Sequence, residues 1–99
     1  MNLSVWHALK PNFGMGAAVP FTEENYKLVA VFPSHGNLDR DLGRAFQLTN
    51  HIDHPWWENE EVTLIGNPNH RSTSVGDVVV DPEGRAHRCE MVGWKRISE

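Results

Sequence analysis

The sequence predicts a small α+β domain: an antiparallel or mixed β-sheet of four to six strands with one α-helix packed on one face. Three observations carry this. Apolar residues recur at helical spacing in one stretch only, where Leu38, Leu42, Ala45, Phe46 and Thr49 form a single stripe. Four other stretches, Asn2–Leu9, Tyr26–Phe32, Val75–Val80 and Arg85–Met91, have strand length and strand composition. Clusters of Gly, Pro, Asn and Asp separate them. A chain of 99 residues cannot build two cores, so residues 1–99 form one domain.

The elements follow in order. In Asn2–Leu9, Leu3, Val5 and His7 point one way and Ser4, Trp6 and Ala8 the other. Lys10–Thr22 carries two prolines and two glycines and reads as a loop. Tyr26–Phe32 is a strand with Leu28, Ala30 and Phe32 on one face and Lys27, Val29 and Val31 on the other, stopped by Pro33. The helix runs from Leu38 to Asn50, with Asn37 as N-cap, Asp39 and Asp41 in the first turn, and Asn50 as a left-handed C-cap. Arg40, Arg44 and Gln47 lie on its outer side. Gly43 weakens it unless another backbone packs closely there. Val62–Ile65 is a short strand. Val75–Val80 ends at the turn Asp81–Gly84, Arg85–Met91 pairs back as a hairpin, and Trp94–Ile97 is the last strand.

Composition excludes several classes. Hydrophobic residues at 39% and charged residues at 22% are ordinary globular usage, not that of a disordered chain. The uncharged stretch Pro11–Thr22 is too polar to span a bilayer, and Met1–Leu9 has neither the basic nor the apolar region of a signal peptide. The single Cys89 rules out an internal disulfide and fits a reducing compartment, so the expected location is cytoplasmic. A net charge of −4 argues against nucleic acid as a partner. The charge is uneven: Asp53–Glu61 holds four acids and no Lys or Arg, whereas Arg85–Arg96 holds four bases and one acid.

The stretch "RSTSVGDVVVDPEGRAHRCEMVGWKRI", Arg71–Ile97, resembles the C-terminal signature of YodL-like small proteins of phages, plasmids and bacterial mobile elements. Ser72, Ser74, Val75, Gly76, Asp77, Val78, Val79, Cys89, Gly93, Trp94 and Ile97 occupy the matching positions. "AFQLTNH", Ala45–His51, is similar to the helix end that precedes the motif in such proteins. The resemblance covers about the last half of the chain. It implies a helix followed by a small β-unit and a mobile-element setting, and it implies little about biochemistry. The residues themselves read as fold grammar: Ser72 and Ser74 set the strand entry, Gly76 permits a bulge, Asp77 accepts backbone N–H groups, and Trp94 closes the bottom of the core.

Chemistry is sparse. His51-x-x-His54 with Asp53 has metal-ligand types, and His70, His87 and Cys89 could complete a set, but the pair brackets a helix exit and six histidines make such spacing common. No metal and no cofactor is expected. Cys89 and His87 share a strand face, yet neither an orienting carboxylate nor an oxyanion hole is legible beside them. Gly14 and Gly16 lack the remainder of a nucleotide loop. Arg85, Arg88, Lys95 and Arg96 with Trp94 make only a small basic patch.

What stands out is "TNHIDHPWWENEE" at Thr49–Glu61. Consecutive tryptophans in an extended segment point to opposite sides, so Trp56 and Trp57 cannot share one small core: either one packs inward and the other faces out, or both pin the long loop to the sheet. Ringed by Asp53, Glu58, Glu60 and Glu61, an outward Trp suits a basic surface on another protein. The expected function is therefore a non-enzymatic, acidic interaction module of a phage or mobile element. It would inhibit or modulate a host protein such as a defence nuclease by mimicking DNA charge. The alternative is a metal-binding or nucleic-acid-binding accessory protein. An exposed sheet edge could also pair two copies into a homodimer.

Overall fold

The computed structural model describes residues 1–10, 20–50, 54–66 and 70–97. Along the chain run β1 (Asn2–Ala8), β2 (Tyr26–Pro33), α1 (Leu38–Leu48), a 3-10 turn (Trp56–Glu58), β3 (Thr63–Leu64), β4 (Val78–Val80), β5 (Ala86–Cys89) and β6 (Trp94–Arg96). The strands make one sheet in the order β3-β2-β1-β4-β5-β6, and every neighbouring pair is antiparallel. With one helix, this is the α+β architecture expected. No helix among the described residues is long and apolar enough to cross a membrane.

The sheet has two unequal faces. On the helix side, Leu3, Val5, Val29, Ala30, Phe32 and Val79 pack with Leu42 and Ala45 of α1 and with Trp56 and Val62. On the other side Ala8, Tyr26, Val78 and Ala86 form a smaller cluster, flanked by Trp6, Phe21, Val80 and Ile97. There Phe21 meets both Trp6 and Tyr26 edge-on, with ring centroids 5.5 and 5.1 Å apart.

Simple alternation fails in β2 at one point. Val5 pairs with Ala30, but the next residue, Trp6, pairs with Leu28, so Val29 is an extra residue in a bulge. Leu28 therefore lies with Trp6 on the outer face, not with Ala30 and Phe32, and Val29 turns into the helix-side core with 0% exposure. The alternation expected for Tyr26–Phe32 is corrected accordingly. A bulge of this kind leaves no periodic trace, because both settings of the strand bury apolar residues.

Helix α1 starts as expected: the Asn37 side chain accepts from Arg40 N–H at 3.1 Å, with Asp39 and Asp41 in the first turn. It ends two residues sooner than read, at Leu48. Thr49 is the C-cap, at φ −114 and so not left-handed, and the Asn50 side chain donates to the Phe46 carbonyl. The buried stripe is Asp41, Leu42, Ala45 and Thr49, whereas Phe46 is 41% exposed and lies outside it. Asp41 is buried because it closes the β2–α1 connection, accepting from the Ser34 hydroxyl at 2.6 Å and His35 N–H at 3.0 Å.

Downstream, Val75 and Gly76 form a turn rather than the start of a strand, with Gly76 at φ +97 and its N–H bonded to the Cys89 carbonyl. The Asp81–Gly84 turn forms as expected. Asp81 N–H donates to the Arg85 carbonyl, Gly84 N–H donates to the Asp81 carbonyl, and Gly84 takes φ +85.

A methyl group built on Gly43 would meet nothing within 4 Å. Gly43→Ala should therefore raise unfolding free energy by about 1 kcal/mol through helix propensity alone, read from the urea midpoint at unchanged slope. Asn37→Ala should lower it by about 1 kcal/mol through loss of the cap.

Candidate functional site

The polar groups of the molecule gather at a joint where the end of β1, the end of α1 and the segment 70–77 meet. Asp77 is 1% exposed and fully engaged. It accepts from Ala8 N–H at 2.9 Å, from Ser74 N–H at 2.8 Å, and from both terminal nitrogens of Arg71 at 2.6 and 2.8 Å. Arg71 also donates to the Ala8 carbonyl at 3.2 Å, and its own carbonyl accepts from Trp56 Nε1 at 3.0 Å. The Tyr26 hydroxyl donates to the Gly76 carbonyl at 2.8 Å. Asp77 thus holds the corner as the sequence suggests, and the planar fork of Arg71 supplies what the motif left unspecified.

Beside this clasp lies a chain of side-chain hydrogen bonds with one permitted direction. The Thr49 hydroxyl donates its proton to the Ala45 carbonyl at 2.6 Å, so toward Thr73, 2.6 Å away, it must accept. Thr73 has then spent its proton and must accept from His7 Nε2 at 2.9 Å. His7 is therefore the Nε2–H tautomer, and its Nδ1 is a lone pair buried with no hydrogen-bond partner among the described residues. Its ring meets Trp56 and His70 edge-on at 6.3 and 6.2 Å, and His70 stacks on Trp56 at 5.8 Å. Burial, the largest influence, pushes the His7 pKa down to about 4. Asp77 pulls it the other way, and the charges of Arg71, His70 and Lys27 add to the lowering.

A second buried acid organises the β4–β5 turn. Asp81 accepts from Glu83 N–H, Arg85 N–H, Arg85 Nε and His87 Nε2, at 2.9 to 3.0 Å. Burial works to raise its pKa, and these four donors, His87 foremost, overcome that and bring it to about 2. The carboxylate that sequence reading does not find beside His87 is thus Asp81, six residues back across a turn. The Sγ of Cys89 contacts the Glu90 carbonyl at 3.8 Å. Burial first, then Asp77 and Glu90, raise its pKa to about 11, so it stays a thiol at neutral pH.

The sequence-derived residues fall as follows. Trp56 has 0% exposure and is the core partner of the pair, while Trp57 is half-buried and meets it edge-on at 5.5 Å. Glu58, Glu60 and Glu61 are exposed around the 3-10 turn. Glu61 pairs with Arg44 at 2.5 Å and His35 at 3.5 Å, and neither Glu58 nor Glu60 forms an ion pair among the described residues. Asp53 and His51 lie outside the described residues. Of the metal candidates, exposed His54 contacts its neighbour's carbonyl, His70 stacks on Trp56, and His87 is bound to Asp81. Among the described residues no three His, Cys, Asp or Glu side chains gather closely enough to hold a metal ion.

Compared with family models, curated proteins and solved structures, the chain matches none of them.

Two outcomes test the joint. Asp77→Ala leaves Arg71 and two backbone N–H groups without their acceptor, and should cost about 3–5 kcal/mol in chemical denaturation. His7 binds a proton near pH 6.5 when unfolded and near pH 4 when folded. Its contribution is complete above pH 6.5 and is lost as pH falls from 6.5 toward 4, by about 3 kcal/mol in all. Urea midpoints across that range should fall for the parent protein, and fall less for His7→Gln.

Proposed function

We propose that this chain is a protein-interaction module without chemistry of its own, which offers Trp57 with Glu58, Glu60 and Glu61 to a basic surface on another protein. The observation that carries this reading is the contrast in how carboxylates are used. Asp41, Asp77 and Asp81 are buried and saturated by internal donors. Glu58 and Glu60 are exposed beside a tryptophan braced from beneath by Trp56. A side chain already held in place loses little freedom on docking, and nearby charge of one sign steers a partner of the other. In this reading Trp56 supplies support, Trp57 contact, and Glu58 and Glu60 most of the charge, since Arg44 partly neutralises Glu61.

The resemblance of Arg71–Ile97 to YodL-like proteins supplies a setting in phages or mobile elements, within the cytoplasm of a bacterial host. There the partner would be a host protein, such as a defence nuclease, whose nucleic-acid groove the carboxylates occupy in place of phosphates. The test is capture from host lysate with the parent protein and with Trp57→Ala combined with Glu58→Lys and Glu60→Lys. The parent should retain a partner of basic surface whose association slows with added salt, and the triple variant should lose it. Retention of the same partner by a folded triple variant would move the contact surface elsewhere. Binding of duplex DNA by the parent at moderate salt would remove the charge-mimic reading.

A further inference from the structure

The joint at the end of β1 contains a group that the fold leaves unfinished. His7 is 1% exposed, and its Nδ1 lone pair has no hydrogen-bond partner among the described residues. In the neutral ring this forgoes one bond and buries no charge. In the protonated ring the same nitrogen bears an N–H, and a buried cationic donor without an acceptor is strongly disfavoured. The ring has no other place for the proton. Thr73 gives its own proton to Thr49 and accepts from His7 Nε2, so a second proton enters at Nδ1.

Charges face this ring from two of the elements around it. Asp77 stands 3.9 Å from Nε2 and favours the cation. Arg71 and His70, on the same segment, oppose it, as does Lys27, the partner of His7 across the β1–β2 ladder. Thr49 of α1 and Trp56 of the 3-10 turn carry no charge. The neighbours also differ in how firmly they are held. His7 lies in β1, which pairs with β2 through Ala8 and with β4 as far as Trp6. Segment 70–75 belongs to no strand. Thr73 fastens it to α1 by its N–H on the Thr49 carbonyl at 2.8 Å and by its hydroxyl, and the Arg71 carbonyl receives the Trp56 indole. Where a paired strand and an unpaired segment enclose one buried charge, the segment yields first.

We propose that this joint is a latch opened by acid: a proton taken up at His7 Nδ1 frees segment 70–75 and the ring of Trp56, and with them the Trp57 surface, while the sheet stays paired. Water then reaches the Nδ1–H that the closed joint shuts away. Trp56 follows the segment because its indole N–H is bonded to Arg71 and its ring stacks on His70. Trp57 in turn leans on Trp56. Release of a bound partner in acid rests on the reading of Trp57 as the contact residue, whereas the opening itself is a property of the chain alone. Protonation of Asp77 would loosen the same joint by a different route, since it removes the acceptor of Arg71. The two groups are separated by replacing His7.

The test follows hydrogen exchange and the His7 imidazole nitrogen shifts in the isotopically labelled full chain from about pH 7 to about pH 4, with exchange taken relative to unstructured peptide rates. The Thr73 amide and the Trp56 indole N–H should be less protected than the β1–β2 ladder amides throughout. Their opening constant should rise about a hundredfold over that range, as a His7 pKa moved from 6.5 to about 4 requires. The Trp57 indole N–H should lose order with the same midpoint. His7→Gln keeps a donor toward Thr73 and binds no proton, and should abolish the rise. If that variant does not fold, the parent decides: its His7 ring should carry the proton on Nε2 at neutral pH and titrate in step with the Thr73 amide. The proposal is overturned if the joint and the ladder open with one constant at every pH, which makes the response global unfolding. It is also overturned if the rise survives in folded His7→Gln, which assigns it to Asp77, or if the joint opens while the Trp57 signal stays unchanged. None of these signals needs a partner, so a lysate capture that fails removes the Trp57 reading and leaves the latch to stand or fall by itself.

Discussion

One ion pair ties together parts of the chain that are far apart in sequence. The Arg71–Asp77 clasp closes a seven-residue loop onto itself and grips both main-chain groups of Ala8, which sits more than sixty residues earlier. Through Ala8 it fixes where β1 ends, and hence the register in which β1 meets β4. Through the Arg71 carbonyl it receives the indole of Trp56, whose ring fills the space between sheet and helix end. Such a pair contributes more to specificity than to net stability, since burying Asp77 costs much of what its four bonds return. Its value lies in excluding alternatives: shifted by one residue, the segment 70–77 would strand a carboxylate in the core.

The legible and illegible parts of this fold divide along a physical line. Local periodicity and capping reveal α1 from Asn37 onward, the Asp81–Gly84 turn and the hairpin of β4 and β5, because each rests on neighbours in sequence. The bulge at Val29 was not legible, since Leu28 and Val29 are both apolar and only the pairing with β1 decides which turns inward. Phe46 fitted the apolar stripe by spacing but lies outside it, and the buried face instead takes in the acid Asp41 beside Leu42 and Ala45. For the candidate site the sequence yielded Asp77, the Trp pair and the exposed glutamates. It did not yield Arg71, Thr49 or Thr73 as parts of one network, nor the pairing of Asp81 with His87. The one available signal was His7, a histidine in phase with Leu3 and Val5 on a buried strand face.

Charge in this molecule is used in two ways that the net value conceals. Inside, carboxylates close turns and corners, each saturated by donors that the fold brings to it. Outside, acids gather near β3, while Lys95 and Arg96, neither in an ion pair among the described residues, lie on β6 at the opposite end of the sheet. A net charge of −4 therefore describes neither end. Each end presents a distinct field to whatever approaches, and salt weakens both within about a Debye length of ~10 Å at 0.1 M.

The sheet's parity has a consequence for self-assembly. With six strands, all antiparallel, the outer strands β3 and β6 run in opposite senses. A copy displaced sideways by the width of the sheet would therefore bring an antiparallel β3 alongside β6, with acids beside cations, and the same step could repeat without closing. Such open-ended stacking is the route by which β-proteins form fibres. What works against it is length: β3 has two residues, few to pair with a neighbour. The shortest strand among the described residues thus sets how much backbone that edge can offer, and lengthening it would give one copy more to pair with the next.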